Sequence, residues 1–314
     1  MPPTPLELAT SALSGDRRAL ARLISCVESR VPGVDKALSA LVPRRRQGPG
    51  TPRVIGITGP PGAGKSTFTD QLVTNARAAG LRVAVVAVDP SSPFSGGAIL
   101  GDRMRLDRHA LDLGVYIRSL SARGHTGGLS RAAGQIVDVL DAVGFDMVIV
   151  ETVGVGQGEL GVMEVADTVL VVLTPESGDG VQAMKAGLLE IADVFVVNKS
   201  DRPGADALVR ELELTVHLDM RPGWKAPVHA TSALSGLGVA DVIAALSRHH
   251  EWLKGEGRAN WDARRADGRV RTWLDLVAAD ARDAALAAYT TEQAELRAGT
   301  RAPEAMPRPR QVPE

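Results

Sequence analysis

The segment 59–66 combines three glycines with a lysine and a serine at a spacing that can hold phosphate. It follows an apolar run at 54–58 that predicts a buried strand. Glycine lets the backbone turn so that successive N–H groups and the start of the next helix face phosphate oxygens. These fixed positions favour a nucleoside triphosphate site over an ordinary glycine-rich turn. Nucleotide contacts are expected at Gly59, Pro60, Pro61, Gly62, Ala63, Gly64, Lys65, Ser66 and Thr67.

Three acidic residues lie at or near the ends of predicted strands, where ligands collect in an open parallel sheet. Asp89 and Glu151 directly follow apolar runs, and Asp102 lies in the glycine-rich stretch after Asp89. Carboxylates at such places also serve as helix caps or turn formers. Beside a phosphate-binding loop, however, they favour a Mg²⁺ site that includes Ser66, while Lys65 would neutralise the β and γ phosphates.

The residues Asn198, Lys199 and Asp201 form an N-K-x-D pattern directly after the apolar run 194–197. A carboxylate at Asp201 can accept two hydrogen bonds from guanine but would stay unpaired against adenine. Asn198 would brace the loop and touch the base edge, and the stem of Lys199 would cover the ring. The tetrapeptide alone is a common turn, but its place downstream of the phosphate loop favours guanine recognition. A further base contact is expected from backbone N–H groups at Ser232 and Ala233.

Short apolar runs alternate with segments of helical periodicity through the middle of the chain. This alternation predicts a mostly parallel central sheet covered by helices on both faces. Strands are expected at 54–58, 83–88, 147–150, 169–173, 194–197 and 227–230, and helices at 66–79, 128–143, 181–191, 205–218 and 239–254.

The fold class is therefore α/β, with a P-loop NTPase core at 52–254. In the N-terminal extension, 1–47, leucines recur at helical spacing and predict one or two amphipathic helices that end near Pro43. The segment 255–300 is expected to be mostly helical. The proline-rich tail, 301–314, is expected to be disordered.

Composition excludes several classes of protein. The formal charge of −1 over 314 residues gives no basic balance for nucleic acid, and a single cysteine leaves no internal disulfide. No apolar run approaches the length of a membrane span, and the N-terminus lacks a signal or transit pattern. We therefore expect a cytoplasmic protein that binds neither nucleic acid nor membranes.

Two longer segments resemble one family of GTPases. The segment 88–104 is similar to the first switch, and 151–159 to the second switch, of the MeaB/ArgK family of methylmalonyl-CoA mutase-associated P-loop GTPases. In the second segment Glu151 replaces the aspartate of the usual D-x-x-G motif, whose glycine is Gly154.

The resemblance implies a GTPase that serves as a chaperone of an adenosylcobalamin-dependent acyl-CoA mutase, most simply methylmalonyl-CoA mutase. GTP binding and hydrolysis would gate cofactor loading and protect the mutase from inactivation, and any cobalamin would belong to the mutase. It also implies a homodimer built with the arm 255–300. A third switch that signals to the mutase would contain Asp179, Gln182 and Lys185, although the same glycine-rich stretch could simply cap a helix.

Hydrolysis would then depend on Lys65, Asp89, Glu151 and a residue that positions water. Small GTPases carry a glutamine directly after the D-x-x-G glycine, but here Val155 occupies that place and Gln157 follows two residues later. We expect slow intrinsic turnover, with Gln157 as the candidate for water positioning.

Three other functions compete with this interpretation. A metallochaperone GTPase of the hydrogenase or urease type shares the switch glutamate, and a transport-system kinase shares the phosphate loop. A cobalamin carrier is a third possibility, since Asp107 and His109 begin a D-x-H-x-x-G pattern. That pattern fails because Asp112 occupies the glycine position.

Overall fold

The computed structural model describes residues 2–42, 53–89, 106, 108–121, 132–152, 165–177, 191–218, 223–263 and 289–290. The chain divides into two units, 1–269 and 270–314. All the elements below belong to the first unit.

Seven parallel strands form one sheet in the order β3-β2-β4-β1-β5-β6-β7. The central strands are buried along their whole length, as expected when helices cover both faces. The strands are β1 (Arg53–Thr58), β2 (Val83–Asp89), β3 (Val115–Ser121), β4 (Met147–Thr152), β5 (Thr168–Leu173), β6 (Val194–Val197) and β7 (Val228–Ala230).

Seven helices of the described residues surround the sheet. One face packs against α4 and α7, whose apolar side chains form a cluster with alternate residues of the strands. On the opposite face, α1, α2, α3 and α5 cover β1, β2 and β4, while α6 covers β5 and β6. The helices are α1 (Pro5–Leu13), α2 (Arg17–Ser29), α3 (Val34–Leu41), α4 (Lys65–Ala78), α5 (Ala133–Ala142), α6 (Ala205–Leu218) and α7 (Val239–Lys254).

The predicted α/β sheet with helices on both faces is confirmed, and every predicted strand is present with ends shifted by two residues or fewer. The strand β3 was missed because it is an edge strand that carries polar residues. Its Arg118 donates to Glu28 of α2 at 2.7 Å, so the polar side chain has a partner in the N-terminal helices. The predicted helix 181–191 lies outside the described residues apart from its last position.

The N-terminal extension contains three helices, whereas the sequence predicted one or two. Short loops divide the helical pattern, and Asp16 caps α2 by accepting the backbone N–H groups of Arg18 and Ala19. The apolar faces of α1–α3 join the same core as α5 and β2. Arg17 also donates to the carbonyls of Leu113 and Val115, at 2.8 and 2.6 Å, at the start of β3.

The extension is therefore built into the core, although the boundary at 47–52 lies outside the described residues. The divisions at 254 and 300 stay predictions, as does the tail 301–314. No helix among the described residues has the length and apolar character needed to cross a membrane.

Replacing Leu23 by alanine tests whether α2 is part of the core. Leu23 is fully buried, so Leu23→Ala should lower the free energy of unfolding by about 2–5 kcal/mol. Leu6 of α1 is 46% exposed, and Leu6→Ala should change the free energy of unfolding by no more than about 0.5 kcal/mol. Urea unfolding followed by circular dichroism measures both. Equal stability of the two variants would contradict the shared core.

Candidate nucleotide-binding site

The carboxyl ends of β1, β4, β5 and β6 place the predicted site residues at one edge of the sheet. The phosphate loop, 59–64, connects β1 to α4. Glu151 lies near the end of β4, and Asn198 directly follows β6. Since these strands are parallel neighbours, the residues converge although they are far apart in sequence.

Two glycines of the phosphate loop lie where no side chain fits. Gly59 has φ +135°, and a Cβ there would overlap the carbonyl oxygen of Val172 in β5. Gly64 has φ +86°, and its Cβ would overlap the side-chain amide of Asn198. As the N-cap of α4, Gly64 supplies no side-chain hydrogen bond. The first amides of α4 are thus placed to receive a phosphate.

Lys65 is nearly buried and folds back over the loop. Its Nζ donates to the carbonyl oxygens of Gly59 and Pro60, at 2.8 and 2.9 Å. A phosphate in the loop would offer Lys65 a charged acceptor in place of neutral carbonyls. This arrangement fits the role expected for the lysine in holding the β and γ phosphates.

The Glu151 carboxylate connects β4 to two residues that lie about one turn apart on the same face of α4. Its Oε1 accepts from Ser66 Oγ at 2.5 Å, and its Oε2 accepts from Thr69 Oγ1 at 2.7 Å. All three residues are buried. The adjacent Thr152 Oγ1 donates to Thr58 Oγ1 at 3.0 Å, which holds the ends of β4 and β1 together.

The oxygens of Ser66 and Glu151 fit a Mg²⁺ site. They lie beside the phosphate loop, and hydroxyl and carboxylate oxygens are the hard ligands that Mg²⁺ takes alongside phosphate and water. Among the described residues, no group of three or more His, Cys, Asp or Glu side chains could hold a metal ion. A Mg²⁺ ion held by Ser66 and Glu151 would take further ligands from phosphate and water.

The structure describes the other predicted metal and switch residues only in part. The backbone of Asp89 ends β2 next to β4, at the same edge as Glu151. The remaining candidates, for metal, nucleotide, water positioning and the third switch, lie outside the described residues: Asp102, Gly154, Gln157, Asp179, Gln182 and Lys185.

Asn198 is buried and joins the phosphate loop to the loop after β7. Its Nδ2 donates to the Ala63 carbonyl at 2.9 Å. Its Oδ1 accepts from the Ala233 N–H at 2.9 Å and from Thr231 Oγ1 at 3.3 Å. The Ala233 N–H, which was expected to meet guanine, thus donates to Asn198. The contacts of Asn198 in the structure match the bracing role predicted for it.

The loop after β6 presents Lys199 and Asp201 at the surface. Lys199 has φ +58°, and its Nζ lies 3.3 Å from Glu176 in the turn after β5. Arg202 also pairs with Glu176 and, with a smaller contribution from Lys199, holds the pKa of that carboxyl below its usual range. Asp201 is exposed and therefore accessible to a base.

Sequence reasoning missed three residues of this site. Thr69 follows Ser66 by three positions, which places both on one face of a helix, and this spacing could have identified it. Gln71 donates to the Ala233 carbonyl at 3.0 Å, and Glu176 orders Lys199. No local pattern marks these two, because their partners are distant in sequence.

Comparison with known proteins gives consistent matches. The family model described as Methylmalonyl Co-A mutase-associated GTPase MeaB matches residues 20–290. A Pyrococcus horikoshii protein that carries a GTPase name is 44% identical over 288 residues, 90% of each chain. The mouse protein named methylmalonic aciduria type A homolog, mitochondrial, is 35% identical over 250 residues, 75% of this chain and 60% of that one. The fold is similar to the crystal structure of an LAO/AO transport system kinase, with a TM-score of 0.70 and 29% sequence identity. The match covers 96% of this chain and 94% of the kinase chain.

Replacing Gly64 by alanine should weaken nucleotide binding at least about 10-fold, because the new Cβ displaces Asn198 and with it the phosphate loop. Gly80 is a matched control, since its φ of +79° is similar but a Cβ there meets nothing within 4 Å. Gly80→Ala should lose some stability from backbone strain and keep its affinity. Titration with fluorescent GDP measures both. Wild-type affinity in Gly64→Ala would refute the close packing.

Proposed function

Because this chain belongs to the family of methylmalonyl-CoA mutase-associated GTPases, MeaB, we propose that its GTP hydrolysis controls an adenosylcobalamin-dependent acyl-CoA mutase. The family match over residues 20–290 carries this proposal. Membership confirms the family predicted from the two switch-like segments. The chain is a GTP hydrolase, and the proposal concerns its residues and its client.

The phosphate loop and α4 would hold the triphosphate. Backbone amides at the start of α4 would donate to the phosphates. Lys65, which donates to the Gly59 and Pro60 carbonyls, would exchange these contacts for phosphate oxygens. Ser66 and Glu151 would hold Mg²⁺, with Asp89 and Asp102 as further candidates. When bound, Mg²⁺ would neutralise charge on the β and γ phosphates. Gly154 and Gln157 would contact the γ phosphate and its attacking water.

Guanine selection would depend on the loops after β6 and β7. Asp201 is exposed in the loop after β6 and would accept both donors of the guanine edge. Asn198 connects the base loop to Ala63 of the phosphate loop, so base and phosphate contacts form together. The Ser232 and Ala233 N–H groups, expected to meet guanine, donate to the Leu237 carbonyl and to Asn198, at 3.0 and 2.9 Å. The loop at these two residues would therefore border the base without those N–H groups, and the Lys199 stem would cover the ring.

The proposed client is methylmalonyl-CoA mutase or a close relative. The family description supports this client, and so does the name of the mouse relative. Asp179, Gln182 and Lys185 would pass the nucleotide state to the mutase, and the helical arm 255–300 would form a homodimer. Cobalamin would be carried by the mutase. The site of action would be the cytoplasm.

A kinase function is the second candidate, because a solved structure at 29% identity is titled a transport system kinase. The two functions differ in the fate of the γ phosphate. A kinase leaves it on an acceptor, whereas a GTPase releases it as free phosphate. The metallochaperone alternative rests only on the switch glutamate, Glu151.

Replacing Asp201 by asparagine should change the preferred base. The amide can donate to the 2-oxo group of xanthine but cannot accept both guanine donors, so Asp201→Asn should weaken GTP binding about 100-fold or more and strengthen XTP binding. Asp206→Asn is the matched control, since Asp206 is exposed on α6. Competition titrations with GTP and XTP measure both. Unchanged GTP preference in Asp201→Asn would exclude Asp201 from base recognition.

The client is tested by free-phosphate release from GTP and ATP, with the protein alone and with purified cobalamin-dependent acyl-CoA mutases. We expect slow release that is selective for GTP and accelerated by one mutase. Gln157→Ala should lose most of that acceleration. Selective hydrolysis that no mutase changes would refute the client and leave the GTPase intact. Phosphate found on a protein acceptor would favour the kinase.

A further inference from the structure

The Glu151 side chain spans two hydroxyls that lie one helical turn apart. Ser66 and Thr69 both belong to α4, and each contacts a different oxygen of the same carboxylate. Thr69 has no exposed surface, and Glu151 is 6% exposed. A buried carboxylate held at both oxygens has little freedom to rotate.

The length of glutamate matters for this arrangement. An aspartate at the same backbone position would be shorter by one carbon–carbon bond, about 1.5 Å. Strand β4 is fixed in register with β1 through Gly56 and Ile57, and Thr152 holds the strand ends together. The backbone therefore has little room to bring a shorter carboxylate to both hydroxyls.

We propose that Thr69 is a positioning residue for Glu151: its hydroxyl anchors Oε2 so that Oε1 and Ser66 face the metal of the bound nucleotide. The inference rests on the Mg²⁺–GTP site proposed above. Thr69 would not touch the metal or the nucleotide. Its effect would pass through the orientation of the carboxylate, as hydrogen bonds to metal ligands generally act.

The test is the release of a fluorescent, non-hydrolysable GTP analogue at increasing Mg²⁺ concentration, with a chelator at the lower limit. Thr69→Val keeps the shape of the side chain and removes its hydroxyl. It should raise the Mg²⁺ concentration for half-maximal slowing of release about 10-fold or more. The release rate in chelator should stay at the wild-type value, because the phosphate loop is untouched.

Four further variants define the result. Thr69→Ser keeps the hydroxyl and should restore the wild-type Mg²⁺ dependence. Thr215→Val is the matched control, since among the described residues the Thr215 hydroxyl donates along its own helix, to the Glu211 carbonyl. Glu151→Asp should weaken the Mg²⁺ effect while the sequence of α4 stays unchanged, and adding Thr69→Val to it should weaken the effect little further.

Wild-type Mg²⁺ dependence in Thr69→Val would overturn the inference and leave the metal site in place. If Thr69→Val does not fold, wild-type Mg²⁺ dependence in Glu151→Asp would overturn the inference, because a carboxylate too short to reach Thr69 would then serve equally well. A fully additive double variant would also overturn it, because the two residues would then act separately. Release from the wild-type protein that Mg²⁺ does not slow would overturn the metal site itself, and the inference with it.

Discussion

The close approach of the phosphate loop to β5 and to Asn198 is the constraint on which the site depends. Gly59 and Gly64 have no space for a side chain, because the Val172 carbonyl and the Asn198 amide occupy it. Asn198 also holds Ala63 and Ala233. The backbone that would bind phosphates and the loop that would bind the base are thus parts of one packed unit. A substitution that moves one of them should therefore displace the other.

A second set of buried contacts connects this unit to the centre of the sheet. Glu151 reaches from β4 to Ser66 and Thr69, and Thr152 reaches from β4 to β1. Burial without such partners would be costly for a carboxylate, so these hydroxyls both stabilise the charge and orient it. The same contacts that stabilise the fold here would set the direction of an oxygen toward the proposed metal. Stability and proposed chemistry therefore share residues at this edge of the sheet.

The core of the fold could be predicted from sequence because its signals are local. Runs such as 83–88 and 169–173 are continuously apolar, which requires burial on both faces, and the strands appear there. The edge strand Val115–Ser121 was missed because polar residues interrupt its apolar positions, and its Arg118 finds a partner in Glu28 of helix α2, which is distant in sequence. The three N-terminal helices were undercounted because the leucine spacing continues across the short loop at Ser14 and Gly15.

The sequence by itself predicted the chemistry of the site, since the phosphate loop and the N-K-x-D pattern depend on residue types at fixed local spacing. It also determined the family, through two switch-like segments that are specific to it. Only the tertiary structure decided which groups meet: Glu151 with Thr69, Asn198 with Ala63 and Ala233, Lys199 with Glu176. These partners lie on different strands, helices and loops. Their pairing follows from strand order and register, which a local pattern does not contain.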